Sequence, residues 1–185
     1  GKPDLDLVLE KNGVRLALIP PGSGVGSTNR PTALQMTRIP TGGLMITWID
    51  NRDTTKPALY GVRVSDDLTT VKDATPLLLL SPVGRYSIAS DTDSFVVFGE
   101  QRKTATETDI VVVHVGGLSS TAPTSSFVAE AGLATRSNPR VAFDGTNFLG
   151  IYTHRTAVEG GTKDELYFVR FTSAALLADG APKAV

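Results

Sequence analysis

The feature that most constrains the fold is a stretch that occurs three times along the chain. Aligned on the arginine that closes it, the stretch reads LMITWIDNR at 44–52, SFVVFGEQR at 94–102 and FLGIYTHR at 148–155. Each copy continues through a polar loop into a second β-rich run, which is ALYGVRV, DIVVVHV or ELYFVRF. These runs align without gaps, so that Val62, Val113 and Val169 correspond. A unit that returns after roughly 50 residues is typical of repeat architectures.

Each copy also has a lead-in before the first run and a tail behind the second. The lead-ins are RPTALQMT, GRYSIASD and NPRVAFDG, and the tails are ATPLLLLSP, TSSFVAEA and DGAPKAV. The third lead-in joins its run through DGTN at 144–147, which is a strong hairpin signal. The unit therefore contains four short strands, which is the size and content of one β-propeller blade.

The N-terminal stretch LDLVLEKNGVRLALIPP can supply two more strands, equivalent to the last two of a blade. Val and Thr are abundant and helical periodicity is scarce, so the sequence predicts an all-β protein of about three and a half blades. A β-sandwich built from the same strands is the alternative. The predicted divisions of the single region 1–185 are two strands and a linker over 1–27 and blades over 28–82, 83–132 and 133–185.

Closure of the ring is the open question of this prediction. A closed propeller needs at least about four blades to bury its faces and remove its sheet edges. We therefore expect the chain either to be a piece of a larger protein or to close with a second chain. Two copies would give seven blades, a common propeller size, which makes a homodimer one attractive solution.

The repeat resembles bacterial propeller repeats of the form P-x-V-A-x-D-G-x-N-[FY]-L-V-x-W-x-D-x-R, followed by D-[IL]-Y-x-x-[RH]-[VF]. NPRVAFDGTNFLGIYTHR with DELYFVRF carries this pattern, and so does MITWIDNR with ALYGVRV. The resemblance covers about residue 30 to the C-terminus and implies an exported or cell-surface bacterial protein. The second copy departs most from the pattern, because Gly99, Glu100 and Gln101 replace W-x-D and its lead-in lacks the Asp-Gly turn.

Charge and cysteine content exclude several classes of function. The 18 basic and 19 acidic residues give a net charge of −1 without a basic arm, which argues against nucleic acid as a partner. The longest fully apolar run, Leu77 to Leu80, is far too short to cross a bilayer. The absence of cysteine removes disulfides, thiol nucleophiles and thiolate metal sites.

Polar residues in the turns between the second and third strands are the candidate ligand site. In a propeller these turns share one rim, where the candidates are Asp50, Arg52, Glu100, Arg102, His154 and Arg155. Arginines there would bind an anionic or sugar ligand through bidentate contacts. The structural interpretation is that each arginine pairs with a neighbouring acid or carbonyl and fixes its turn. It is favoured, because a catalytic site usually breaks repeat symmetry and these residues follow it.

Calcium is the only cofactor that the sequence suggests. Paired carboxylates occur in turns at Asp50 and Asp53 and at Asp91 and Asp93, and such oxygen ligands suit a hard cation. The alternative is that these aspartates hydrogen-bond their own turns, which is their more frequent use.

The two histidines do not indicate catalysis. His114 takes the place of Arg63 and Arg170 in the repeat, and His154 falls at a polar loop position. Neither stands in a nucleophile motif, and no G-x-S-x-G occurs.

The sequence favours a non-enzymatic binding or structural module, completed by a second copy or a protein partner. One alternative is a glycan-acting propeller enzyme of glycosidase or sialidase type, which would need acids at the inner ends of different blades. A convincing S-x-D-x-G-x-x-W box is missing, which argues against the sialidase version. A further alternative is a lectin with carbohydrate as its ligand. These functional expectations depend partly on analogy between folds.

Overall fold

The computed structural model describes residues 8–18, 31–51, 53–120, 124–132, 134–173 and 177–185. These residues form strands and no helix, so in this part of the chain nothing helical could span a membrane. The first two strands, β1 (Val8–Lys11) and β2 (Val14–Ala17), pair as an antiparallel hairpin.

The remaining described strands form three antiparallel sheets of four strands each, which we call the first, second and third blades. The first blade contains β3 (Thr32–Arg38), β4 (Leu44–Asp50), β5 (Ala58–Val64) and β6 (Leu77–Leu80). The second contains β7 (Val83–Ser90), β8 (Ser94–Arg102), β9 (Thr108–Gly116) and β10 (Thr124–Glu130). The third contains β11 (Thr135–Phe143), β12 (Phe148–Val158), β13 (Gly161–Phe171) and β14 (Lys183–Ala184). Strands follow chain order in every blade, and the predicted all-β class is confirmed.

Strand pairing defines which residues of the three blades are equivalent. The matching pairs between second and third strands are Ile46–Val62, Val97–Val113 and Gly150–Val169. The fifth residue after the first member of each pair is Asn51, Arg102 or Arg155. Arg52 is therefore offset by one position from the alignment on arginine, and it lies outside the described residues.

Buried apolar clusters lie between consecutive sheets, because side chains alternate between the two faces of each strand. Trp48 packs towards the β1–β2 hairpin, in a cluster with Leu18. Met45, on the opposite face, belongs to a cluster shared by the first and second blades. Phe98 and Phe171 belong to the cluster shared by the second and third blades, with ring centroids 6.0 Å apart. The central strands of the first two blades are therefore buried on both faces.

The first strands of the three blades, β3, β7 and β11, lie next to one another. Each contains a register shift, between Thr32 and Gln35, Val83 and Tyr86, and Ser137 and Arg140 respectively. In two of the shifts a residue other than glycine has a positive φ, with 51° at Ala33 and 59° at Asn138. Such bulges turn side chains away from the regular alternation of a strand. Here they shape the surface that the three first strands share.

Candidate functional site

An open groove lies across the first strands of all three blades. Its lining residues are Gln35 from β3, Arg85, Tyr86 and Ser87 from β7, and Arg140 from β11. We call this surface the inner groove. Because three blades contribute to it, it exists only when they are packed together.

Two exposed arginines give the inner groove its charge. The Arg85 guanidinium donates a hydrogen bond to the side-chain oxygen of Asn138. Arg140 Nη1 donates to the carbonyl oxygen of Pro139 at 2.8 Å. Among the described residues neither guanidinium forms an ion pair with a carboxylate. The two guanidinium groups therefore reach the groove without an ion pair to a carboxylate of the described residues.

Tyr86 forms the floor of the inner groove. Its buried hydroxyl donates to the carbonyl oxygen of Ala33 and accepts from Thr47 Oγ1 at 3.1 Å. Burial raises the pKa of Tyr86 to about 12, so the phenol stays protonated at neutral pH. Gln35 Nε2 donates to the Tyr86 carbonyl oxygen at 2.8 Å. Tyr86 thus ties the first blade to the second.

Glu100 supports the inner groove from behind. Its carboxylate is buried and accepts from Arg85 N at 3.0 Å and from Asn138 N at 2.9 Å. A Cβ at Gly84 would collide with this carboxylate, so glycine leaves the room that Glu100 occupies. One carboxylate therefore fixes the bulges of β7 and β11 and holds Arg85 beside Asn138.

The other predicted rim residues of the first two blades have separate surroundings. Asp50 is buried at the end of β4 and lines a shallow groove that also contains Lys56 and Tyr60. Arg102 N donates to the carbonyl oxygen of Pro82 at 3.1 Å. Both positions lie at the ends of second strands, as the repeat predicts.

In the third blade, His154 and Arg155 each lie close to a different acidic residue. His154 Nδ1 lies 3.7 Å from Glu130 Oε1, and the imidazole packs edge-on against Tyr167. Arg155 Nε donates to Asp164 Oδ1 at 2.6 Å in an exposed pair. No described hydrogen bond or ion pair joins these two residues to each other, or to the rim residues Glu100 and Arg102. A shared ligand site at this rim stays a prediction.

Two of the four aspartates predicted as calcium ligands, Asp53 and Asp91, accept hydrogen bonds within their own turns. Hydrogen bonds from the Thr55 hydroxyl and backbone lower the pKa of Asp53. Asp91 Oδ1 accepts from Ser94 N at 2.6 Å, and Asp91 Oδ2 accepts from the Ser94 hydroxyl. In the described part of the chain no group of three or more His, Cys, Asp or Glu residues could hold a metal ion. Calcium binding stays a prediction.

His114 lies in a shallow groove with Asp91 and Asp93. Its imidazole is half-buried, and this burial lowers the pKa of His114, against a smaller opposing effect of the Asp91 charge. The equivalent residues Arg63 and Arg170 contact aspartates instead. His114 therefore replaces a charged residue with one that is mainly neutral at pH 7.

Sequence analysis missed Arg85 and Arg140, because both lie in lead-ins where the three copies share few residues. A usable signal was nevertheless present. Gly84 and Pro139 interrupt two runs that otherwise read as strands, and such residues often mark bulges. The bulges bring the two arginines to one groove.

Comparison with known proteins identifies the fold. No protein-family model matches the chain, and no curated protein matches it. The chain is similar to the crystal structure of a thermostable family-43 glycoside hydrolase, with a TM-score of 0.54 and 12% identity. The match covers 92% of this chain and 61% of the glycoside hydrolase chain. At this identity the likeness shows the fold alone, and it confirms that the four-stranded sheets are blades of propeller type.

Proposed function

We propose that this chain is a non-enzymatic binding and assembly module, which a second copy completes at the outer face of the third blade. The outer face is the side of this blade turned away from the second blade. Its residues are Leu149, Ile151, Leu166, Phe168 and Arg170. The proposal is supported by a comparison of this face with its equivalents in the other two blades.

The exposure of the outer face is the observation that carries the proposal. Leu149 is 39% exposed, whereas Met45 and Val96, at the same position of the other blades, are each 1% exposed. On the neighbouring strand, Leu166 is 47% exposed and its equivalent Leu59 is fully buried. Apolar residues thus occupy positions that are covered elsewhere in the same fold. Contiguous apolar surface of this kind marks interaction sites.

A second copy is a suitable partner because it presents the same apolar face. Two such faces can pack against each other around a twofold axis, as in most homodimers. This arrangement covers the apolar face of both copies, and it differs from the seven-bladed ring considered from the sequence, in which the third blade would contact the N-terminal strands of the other copy. In a larger propeller the equivalent contact would be made by a further blade. The glycoside hydrolase of similar fold has additional chain beyond the match, which is consistent with a propeller larger than three blades.

Sedimentation velocity over a range of protein concentrations tests the proposal. We expect a dimer for the wild type and a folded monomer for the double variant Leu149→Glu/Leu166→Glu. The control is Leu78→Glu, at an exposed leucine of β6, which should leave the dimer intact. A wild-type chain that stays a folded monomer at every concentration would contradict the proposal.

A glycan-acting enzyme is the second candidate, since the solved structure of similar fold is named a glycoside hydrolase. Glycosidases generally use two carboxyl groups on either side of the scissile bond. The carboxylate found beside the inner groove is that of Glu100. Each of its two oxygens already accepts a hydrogen bond from a backbone N–H group. This favours binding over hydrolysis. Release of reducing sugar from neutral or acidic oligosaccharides, abolished by Glu100→Gln, would reverse that preference.

A further inference from the structure

We propose that the inner groove binds the carboxylate group of an acidic sugar, held between Arg85 and Arg140. This inference goes beyond the assembly function, because one chain supplies every residue that lines the groove. It also differs from the rim site predicted from the sequence, since its arginines lie on the first strands of the blades rather than in the turns between the second and third.

The charge of the groove points to an anion. Arg85 and Arg140 are exposed in one concavity, and among the described residues no carboxylate forms an ion pair with either guanidinium. Other exposed arginines differ in this respect: Arg38 pairs with Asp66 at 2.5 Å through two hydrogen bonds. A guanidinium binds a carboxylate with two parallel hydrogen bonds, which gives it geometric selectivity.

The arginines are held in place before any ligand arrives. Glu100 fixes the backbone of Arg85 and Asn138, and the side chain of Asn138 in turn accepts from Arg85. Arg140 is held by the carbonyl of Pro139 at the same bulge. Pre-organisation of this kind lowers the entropy cost of binding. The bulges thus shape the groove and also orient its charged groups.

Neutral polar groups beside the arginines suit the hydroxyls of a sugar. Ser87 Oγ accepts a long hydrogen bond from Val141 N at 3.4 Å, so its proton remains available to a ligand oxygen. Gln35 uses one N–H on the Tyr86 carbonyl, and its side-chain oxygen can accept from a ligand. A bare phosphate or sulfate would use the arginines alone. A sugar acid uses the arginines together with these flanking groups.

Isothermal titration calorimetry with oligomers of galacturonic acid tests this inference, with neutral galactose oligomers and sulfate as the comparison ligands. The acidic oligomer should bind and the neutral one should not. Arg85→Gln and Arg140→Gln should each weaken binding by about tenfold or more, the effect of losing a charge-assisted contact. Arg38→Gln, at an exposed and paired arginine, should change the affinity by less than about twofold. Urea unfolding midpoints confirm that the variants are folded.

Three outcomes would overturn the inference. The first is equal binding of acidic and neutral oligomers, and the second is unchanged affinity in both inner-groove variants. The third is displacement of the acidic oligomer by sulfate at similar concentration, which would mean a simple ion site. The titration is repeated with Leu149→Glu/Leu166→Glu, where binding should persist. Failure of the assembly proposal therefore leaves this test intact, and the reverse also holds.

Discussion

Arg63 and Arg170 occupy the same position in the first and third blades, yet their surroundings differ. Arg63 is 3% exposed, pairs with Asp73 at 2.5 Å and donates to carbonyl oxygens of the second blade, among them that of Gly117 at 2.8 Å. Arg170 lies 3.5 Å from Asp179 in a partly exposed pair. The two blades have the same strand order, so the next sheet determines whether this arginine is buried. The third blade has the residues of a covered face without a described sheet to cover them.

Removing the arginine from each blade should give the largest difference. Arg63→Ala leaves a buried carboxylate and several carbonyls without partners, which should lower the free energy of unfolding by about 3–5 kcal/mol. Arg170→Ala should cost less than about 1 kcal/mol, because solvent screens an exposed pair. Urea denaturation at low protein concentration measures both. Similar losses in the two variants would remove the basis of the comparison.

Truncating equivalent leucines should give the next largest effect. Leu59→Ala empties a fully buried site and should cost about 2–5 kcal/mol. Leu166→Ala, at the matching position of the third blade, should cost less than about 1 kcal/mol in the monomer. Repeating the denaturation at high concentration sharpens the test, since the cost at Leu166 should then rise if this face becomes covered.

Glu100 and Thr153 occupy equivalent positions in the second and third blades, and they provide a third comparison. Glu100 faces the third blade, whereas Thr153 lies on the outer face of the third blade. Glu100→Gln replaces a carboxylate that accepts two backbone hydrogen bonds, so we expect a loss of about 1–3 kcal/mol. Thr153→Ala should stay within about 0.5 kcal/mol. Thermal unfolding of both variants measures these changes in stability. A Glu100→Gln variant as stable as the wild type would show that this carboxylate does not support the bulges.

The smallest expected effect is the pH dependence that His114 adds to the second blade. Burial lowers the pKa of His114 below the ordinary histidine value of about 6.5, so the unfolded chain binds a proton before the folded one does as the pH falls. The free energy of unfolding should therefore fall as the pH drops below about 6.5, until the folded-state pKa is passed. The slope should be shallower in His114→Asn. An unchanged slope would mean that His114 does not contribute.

Much of the fold could be predicted from the sequence, because strand period and turn residues are local signals. The register of the second strands was harder to predict. Gly99 stands where the other blades have Trp48 and Tyr152, and the neighbouring Phe98 faces the opposite side of its sheet. An alignment of the three copies on their aromatic residues, or on their arginines, therefore places one copy a single residue out of its true register.

The inner groove was out of reach for a different reason. Arg85 and Arg140 are 55 residues apart and lie in roughly the same part of successive repeats. Each lies at a bulge of its strand, and these two bulges direct both side chains into one groove. Backbone irregularities of this kind depend on contacts between blades, such as those of Glu100 with the Arg85 and Asn138 backbone. In a single sequence, the only sign of these bulges is the presence of a glycine or a proline within a strand-like run.

Thiol labelling of the outer face tests the central claim most directly. The chain contains no cysteine, so Leu149→Cys introduces a single thiol on this face, and Leu78→Cys provides a control at another exposed leucine, on the first blade. We predict that labelling at position 149 slows markedly as protein concentration rises, while labelling at position 78 keeps its rate. Equal labelling rates at position 149 across all concentrations would contradict the claim that a second copy covers the third blade.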